Sequence, residues 1–417
     1  MFPSIWKKGN ILPIHKKGLK SEPSNYRPVC LMSNLGKLLE LIILRKVDLH
    51  IEHALPSNMH GFRRNKGTES ALVSFLDNIK DLKGKKKMVA VLALDCSSAF
   101  DLLDPDLVLK SLAAIGAGPK MINWVSSFFL GCEYSVKTNG SVSSSWSSNI
   151  GAGQGRRLSP VLFNIGSISM ALWSKLIIEV IFADDNCAII DGDSKEEVNR
   201  NIKLAVESRT KWYKSAGFVI NSKKSEIIGF GFVPDLIVVE DTEVHPVSEI
   251  KFLGLVIRSD LTWGSQVKKL CQKLRLAANR IRIDGSLFSI QDRKKLFNAW
   301  LLGYLFCNGL AYLPFINEGQ KKDIQVALNS GIRAVFSLPR YGKQPMTDLR
   351  SKLRIPSISE IIDYIILKAA WANKDVFLKE EHIGPMTRNR ARLNLPLQSS
   401  SGWNGKMVKN ILVKGWN

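Results

Sequence analysis

The chain reads as an α+β fold built around a split β-α-β-β-α-β unit, and three observations carry that reading. Residues 88–95, MVAVLALD, make a nearly continuous apolar strand closed by a carboxylate, the pattern of a central strand covered on both faces. Residues 177–190, IIEVIFADDNCAII, make two apolar runs around Ala183, Asp184, Asp185 and Asn186, the pattern of a hairpin. Around them the apolar residues recur at helical spacing, which gives the order strand, helices, hairpin, helix, strand. In that arrangement the first strand and the hairpin lie side by side. Asp95, Asp184 and Asp185 are then expected to converge, although they are far apart along the chain.

Taken in order, residues 1–30 are broken by Pro3, Pro13, Pro23 and Pro28 and carry Lys7, Lys8, Lys16 and Lys17, which predicts short strands and loops with a basic face. Residues 34–53 predict a helix, with Leu35, Leu38, Leu39, Ile42, Ile43 and Val47 as its apolar positions. A basic, Gly-punctuated loop, HGFRRNKGTE, leads to a second helix over 68–80. Asp104-Pro105 predicts a capped helix start, with Gly116 as its stop, and Pro119 opens another that Gly131 ends. Residues 133–150 predict a polar hairpin, and Ser159-Pro160 a helix to about residue 175. Ser194-Lys195-Glu196-Glu197 is a capping box before a helix whose face carries Val198, Ile202, Ala205, Val206 and Trp212. Two short strands flank Ser222-Lys223-Lys224. Residues 268–282 predict a basic amphipathic helix, and 285–378 further helices.

The length of 417 residues exceeds one compact core and suits two or three subdomains. A net charge of +22 favours a polyanionic partner, because binding one releases its counterions. Six scattered cysteines without a Cys-x-x-Cys pair argue against a zinc site or a disulfide scaffold and fit a reducing compartment. The N-terminus has no continuous apolar run of the signal-peptide kind. The uncharged run 299–316 contains Asn308, Gly303, Gly309 and Pro314, and reads as a buried helix followed by a loop, so no membrane partner is expected.

Two adjacent carboxylates at a hairpin tip repel each other, and become favourable when a divalent cation neutralises them. The tip by itself also reads as a solvated turn. The convergence with Asp95 favours a metal site. Gly151-Ala152-Gly153-Gln154-Gly155 is neither a P-loop nor a dinucleotide fingerprint, since it lacks the Lys-Ser/Thr of the one and the spacing of the other.

Several stretches in sequence order now point to one family. NYRPVCLMSNLGKLLE from Asn25, HGFRRNKGTES from His60, VAVLALDCSSAFD from Val89, GAGQGRRLSPVLFNI from Gly151, IFADD from Ile181, GFVINSKKSEI from Gly217 and IKFLGLVI from Ile250 resemble the motifs of the reverse transcriptases of non-LTR, LINE-like retrotransposons. The resemblance covers roughly residues 5 to 260.

It implies a right-hand polymerase: fingers and a ferredoxin-like palm over residues 1–260, a helical thumb and C-terminal helical region over 261–378, and a basic tail of poor order over 379–417. It implies an RNA-directed DNA polymerase that adds dNTPs to the 3′-hydroxyl of a DNA primer on an RNA template, with Mg²⁺, or Mn²⁺ in its place, as the metal and no small-molecule cofactor. Two such ions about 3.5–4 Å apart activate the nucleophile and stabilise the leaving oxygen. Asp95 and Asp184 would hold them, with Asp185 as a third ligand or an electrostatic support and the backbone carbonyl of Cys96 completing a shell. Lys224 matches the lysine proposed as general acid to pyrophosphate.

Phe100 takes the place of the steric gate against a ribose 2′-hydroxyl, which also speaks against an RNA-dependent RNA polymerase. Gln154 and Gly155 would shape the nucleotide and template-primer pocket, and Arg27, Lys37, Arg63 and Arg64 are candidate phosphate contacts. The family's usual proline and small residue are replaced here by Gly153 and Arg156. A nuclear, intracellular location follows from the resemblance alone. The chain begins inside what is normally the polymerase region, so a truncated, non-catalytic nucleic-acid-binding remnant is the alternative expectation.

Overall fold

The computed structural model describes residues 1–138, 140–171, 177–342 and 344–372. Strands β1 (Lys8–His15) and β2 (Tyr26–Leu31) precede helices α1 (Asn34–Ala54) and α2 (Thr68–Gly84). β3 (Met88–Ala93) and the two-residue β4 (Cys96–Ser97) lead to α3 (Pro105–Ala114) and α4 (Pro119–Phe129). β5 (Cys132–Thr138), β6 (Ser141–Val142) and β7 (Trp146–Ser148) come before α5 (Ser159–Gly166) and α6 (Ile168–Ala171). The acidic hairpin is β8 (Ile178–Phe182) and β9 (Asp185–Gly192), followed by α7 (Lys195–Ser215), β10 (Val219–Ile220) and β11 (Glu226–Phe230). Two more hairpins follow, β12 (Ile237–Val239) with β13 (Thr242–Val244), and β14 (Glu249–Phe252) with β15 (Leu255–Arg258). Helices α8 (Gly264–Asp284), α9 (Ile290–Phe297), α10 (Gly303–Phe306), α11 (Gly309–Tyr312), α12 (Glu318–Val335), α13 (Met346–Leu353) and α14 (Ile358–Ala372) complete the described chain.

The chain forms two interleaved compact units, Met1–Ala71 with Val89–Gly229 and Val233–Val247, and Leu72–Met88 with Phe230–Phe232 and Ser248 onward. The first unit is mixed α/β. Its sheet has the order β11-β3-β9-β8, fourth strand, first, third, second, as a split β-α-β-β-α-β arrangement requires. β3 is central, and Val89 to Leu92 are 0–1% exposed, each residue contributing on the order of 1.5–3 kcal/mol by burial if large. α7 lays Val198, Ile202, Ala205 and Trp212 against this sheet. A second sheet has the order β2-β1-β5-β6, with β7 also on β5. Here β1 runs antiparallel to β2 and parallel to β5, over a small core of Cys30, Met32, Cys132 and Tyr134.

Local chemistry explains the helix starts. The Asp104 side chain accepts the Asp106 N–H at 2.8 Å, ahead of Pro105. Ser194 accepts the Glu197 N–H at 3.2 Å, and the Glu197 carboxylate accepts the Asp193 N–H at 2.7 Å, one residue before the expected partner.

Four expectations need correction. β3 ends at Ala93, and Asp95 sits in the break before β4, because there the backbone leaves β9 to pair with β10. The helix expected over 159–175 is split at Ser167, and its end, 172–176, lies outside the described residues. Ser159 does not cap it: its hydroxyl donates to the carbonyls of Ala152 and Gly153. On α1, Leu35, Leu38 and Ile42 are 59%, 53% and 45% exposed, while Gly36 and Glu40 are buried. The buried stripe is thus rotated from the apolar one, because Glu40 carries an interior contact described below.

The second unit is helical around the antiparallel pair β14–β15. Phe75 of α2 packs on Phe252 with ring centroids 5.2 Å apart, and α8 packs along α12. The uncharged run expected as one helix and a loop is a chain of short helical turns, with a π-helical stretch over Asn298–Leu302. Leu301, Leu305 and Tyr312 are buried, and Asn308 turns the chain at φ 59° while its amide donates to the Leu253 carbonyl. Among the described residues no single helix is long and apolar enough to cross a membrane, although the pair Ile290–Phe306 and Gly309–Phe315, bent by 46°, passes by length and composition. The basic tail expected over 379–417 lies outside the described residues.

Candidate active site

The site lies within the first unit, where the hairpin tip meets the end of β3. The register of β8 with β9 closes on Phe182 and Asp185, leaving Ala183 and Asp184 as a two-residue turn. Ala183 adopts φ 57°, which the tight turn demands. The hairpin is braced from outside. Residue 59 bridges to Ile181, the His60 N–H donates to the Ile181 carbonyl at 2.8 Å, and the Ile181 N–H donates to Asn58 at 3.0 Å. Gly61 then lies so close that a Cβ there would stand 2.6 Å from the Ala183 nitrogen. The Asn164 amide holds the Gly61 carbonyl at 2.7 Å.

Asp95 is positioned through its own backbone. Its carbonyl accepts the Asn221 N–H at 2.8 Å, next to the paired residues Ile220 and Cys96. Asn221 begins the turn Ser222–Lys224, and Lys224 Nζ returns to the Asp95 carboxylate at 3.4 Å. Both side chains are partly exposed, so this pair is worth under about 1 kcal/mol and separates easily.

Asp184 reaches solvent, yet its carboxyl is held above the usual carboxylate range. Desolvation by the surrounding groups is the main cause, and the nearby Asp95 carboxylate adds to it. Arg27 and Lys16, from the β1–β2 hairpin, act in the other direction. Burial, then Asp184 and Asp95, push the Cys96 thiol up to about 12. Two acids thus share one field.

The charge of Asp185, the residue after the turn, acts on Cys187, two residues along β9. Among the described residues no three Asp, Glu, His or Cys side chains form a complete ligand set. Two carboxylates whose mutual repulsion a cation would relieve, facing basic side chains, fit a hard divalent ion that takes the rest of its shell from phosphates and water. They do not fit an all-protein cage.

The loop before α5 lines the same region. Gln154 donates its side-chain amide to both Asp101 oxygens at 3.3 and 3.2 Å, and its backbone carbonyl accepts the Cys30 N–H at 2.6 Å. Gly155, at φ 109°, brings the loop against β2: a Cβ would be 2.7 Å from the Cys30 carbonyl oxygen, so its close approach is to protein backbone. Phe100 is half-buried, stacked on Phe163 at 4.4 Å and edge-on to Phe62 at 6.1 Å.

Arg156, the departure from the family pattern, is a structural residue. Its Nε donates to Glu40 at 3.1 Å, with side chains 2% and 0% exposed, and its guanidinium covers the Phe128 ring at 3.3 Å. The other Glu40 oxygen accepts the N–H groups of Arg157 and Leu158 at 2.7 and 3.2 Å.

Of the expected phosphate contacts, Arg27 is exposed and close enough to act on Asp184, and Arg64 is exposed with Asp48 at 3.5 Å. Lys37 is half-buried near Cys30. Arg63 must be corrected. Its guanidinium is 6% exposed, pairs with Glu52 at 2.7 Å and donates to the carbonyls of Glu52, Pro56 and Met59, so it braces its own loop. Sequence reasoning missed Glu40, Gly61 and Asn164. A carboxylate inside the apolar run 38–43 is the one available signal, and it stands there only as part of a motif.

Residues 14–257, more than half of the chain, match the family described as reverse transcriptase (RNA-dependent DNA polymerase). Among curated relatives, the RNA-directed DNA polymerase from mobile element jockey of Drosophila funebris is 23% identical over 88% of this chain and 41% of that protein. The probable RNA-directed DNA polymerase from transposon X-element of Drosophila melanogaster is 27% identical over 66% of this chain and 31% of that protein. The chain therefore spans about two fifths or less of the length of these relatives. Among solved structures, telomerase from Candida albicans with a fragment of telomeric RNA aligns over 92% of this chain and 68% of that one, at 13% identity and a TM-score of 0.47. With the acid-tipped hairpin, the strand order and the profile match in agreement, the chain belongs to the reverse transcriptase (RNA-dependent DNA polymerase) family, and its named relatives come from non-LTR mobile elements.

Proposed function

We propose that this chain carries the polymerase centre of an RNA-directed DNA polymerase from a non-LTR retrotransposon, extending a DNA primer with dNTPs on an RNA template. The observation that carries the proposal is the sheet order β11-β3-β9-β8, which sets the β8–β9 turn bearing Asp184 beside the end of β3 and Asp95, with Lys224 Nζ 3.4 Å from the Asp95 carboxylate. In this reading the β11-β3-β9-β8 sheet with α7 is the palm, the β1–β2 side the fingers, and α8 with its neighbours the thumb. The family depends on divalent metal, and we take Mg²⁺ as the ion.

Asp95 and Asp184 would hold the metal, with Asp185 and the Cys96 carbonyl in support. The bound metal would polarise the α-phosphate and lower the pKa of the attacking hydroxyl. The protein's own residues do the rest. Arg27 and Lys16 present positive charge where triphosphate oxygens arrive. Lys224 leaves the Asp95 carboxylate for the pyrophosphate and supplies a proton from Nζ to the departing oxygen. Phe100, held by Phe163 and Phe62, walls the ribose and rejects a 2′-hydroxyl. The Asp101–Gln154 contact orients the amide that lines the pocket.

The test is primer extension on an RNA template with dNTPs and Mg²⁺. Purified protein extends the primer, EDTA stops it, and Asp184→Asn abolishes it while salt-sensitive RNA binding persists. Binding without extension in the unaltered chain, with extension in a longer version, would assign this chain as a nucleic-acid-binding remnant.

A further inference from the structure

A second site lies wholly within the helical unit. A cavity of about 500 Å³ opens between α8, α12 and the segment before α13, lined by Arg275, Asn329, Arg333, Arg340 and Tyr341 among others. Among the described residues three guanidiniums line it and no carboxylate does. Like charges around one hollow repel each other, and an anion relieves that.

One of the three is built in. Arg333 is 8% exposed, and its Nη2 donates to the Gly342 carbonyl at 2.8 Å and its Nη1 to the Gln344 side chain at 3.3 Å. The wall closes on it at Gly342, where a Cβ would stand 2.8 Å from Arg333 Nη1. Arg275 and Arg340 are exposed.

The lining offers an aromatic ring as well as charge. Tyr341 stands 82% exposed at the rim, with the Arg340 guanidinium 5.7 Å from its ring centre. A solvent-exposed ring with a cation on it, beside an anion hollow, matches a phosphate joined to a flat base. The volume suits one nucleotide, since ligand pockets run from about 300 to 1,000 Å³. A duplex keeps its base faces stacked on each other, whereas a single strand can offer one to a protein ring.

We infer that this pocket binds one unstacked nucleotide of single-stranded nucleic acid, its phosphate among Arg275, Arg333 and Arg340 and its base on Tyr341. None of the residues assigned to nucleotide addition lines it, so the site is a separate hold on a strand.

The test is photocross-linking of the full chain, without divalent metal, to a single-stranded 12-mer carrying 5-iodouracil, as RNA, as DNA and as a blunt duplex. The cross-linked peptide is identified by mass spectrometry. The expected result is a cross-link on Tyr341 with one or both single strands and not with the duplex. It should fall about fivefold or more in the double variant Arg275→Glu/Arg340→Glu, as loss of a stacking and phosphate clamp requires. Both arginines are exposed, so the variant is expected to fold, and its circular dichroism and melting should match the parent. A cross-link confined to other peptides, equal cross-linking by the duplex, insensitivity to the charge reversal in a folded variant, or equal competition by a base-free polyanion such as heparin would overturn the assignment. The readout needs no extension, so it stands apart from the polymerase test.

Discussion

Removing the charge of Glu40 alone should destabilise the first unit by several kcal/mol, about 3–5. The Glu40 carboxylate is 0% exposed and does three things: one oxygen pairs with Arg156, and the other accepts two backbone N–H groups at 157 and 158. In Glu40→Gln the amide oxygen still serves the backbone, but the Arg156 guanidinium, 2% exposed, has no countercharge. Breaking a buried pair in this way costs about 3–5 kcal/mol, against a total stability of about 5–15 kcal/mol. Replacing both partners, as Glu40→Gln/Arg156→Met, removes the unpaired charge and fills the same space beside the Phe128 ring. That double variant should return to within about 1 kcal/mol of the parent, because a buried pair is roughly neutral against an apolar replacement. Urea unfolding of the four proteins gives the double-mutant cycle directly. A single variant within about 0.5 kcal/mol of the parent, or a double variant no better than the worse single, would refute a buried ion pair at this position.

Three further outcomes follow from particular contacts. His60 is 5% exposed, and burial, then Lys66 and Arg63, hold its pKa down to about 4, so its stability effect has a definite sign. Above about pH 6.5 neither folded nor unfolded chain binds the proton, and below that only the unfolded chain does until pH 4; urea unfolding should show a loss of about 2 kcal/mol between pH 7 and 5 that is absent in His60→Gln. Gly61→Ala places a methyl 2.6 Å from the Ala183 nitrogen, so the hairpin tip must move; extension should fall by up to about 100-fold while RNA binding holds, and unchanged extension would show that the tip is not the reacting centre. Phe100→Val removes the ring stacked on Phe163, and the preference for dNTPs over rNTPs in kcat/KM should drop by about tenfold or more if the ring is the gate.

Much of the framework was legible along the chain. Strand β3, the β8–β9 hairpin, α3 and α7 announce themselves through unbroken apolar runs, Asp104-Pro105 and Ser194, because these are local signals of period and capping. Asp95, Asp184 and Lys224 were also named from motif positions, and folding brings their elements together. What could not be read is which polar group answers which. Arg63 and Arg156 look alike as basic residues in Gly-rich loops, yet both are buried against carboxylates from α1, Glu52 and Glu40, while Arg27 stays open. Partner choice over such sequence separations depends on how loops cross a sheet, and no periodicity encodes it.

The sequence by itself determined the family, the order of elements along the chain and the acids at the hairpin tip, since each rests on residue type and spacing along the chain. Tertiary structure alone decided that Asp95 and Asp184 share a field, that Glu40 holds the loop of Gln154, and that α2 packs with the helical unit. The reason is physical: electrostatic and packing energies fall off with distance in space, and distance in space is set only once the chain has folded.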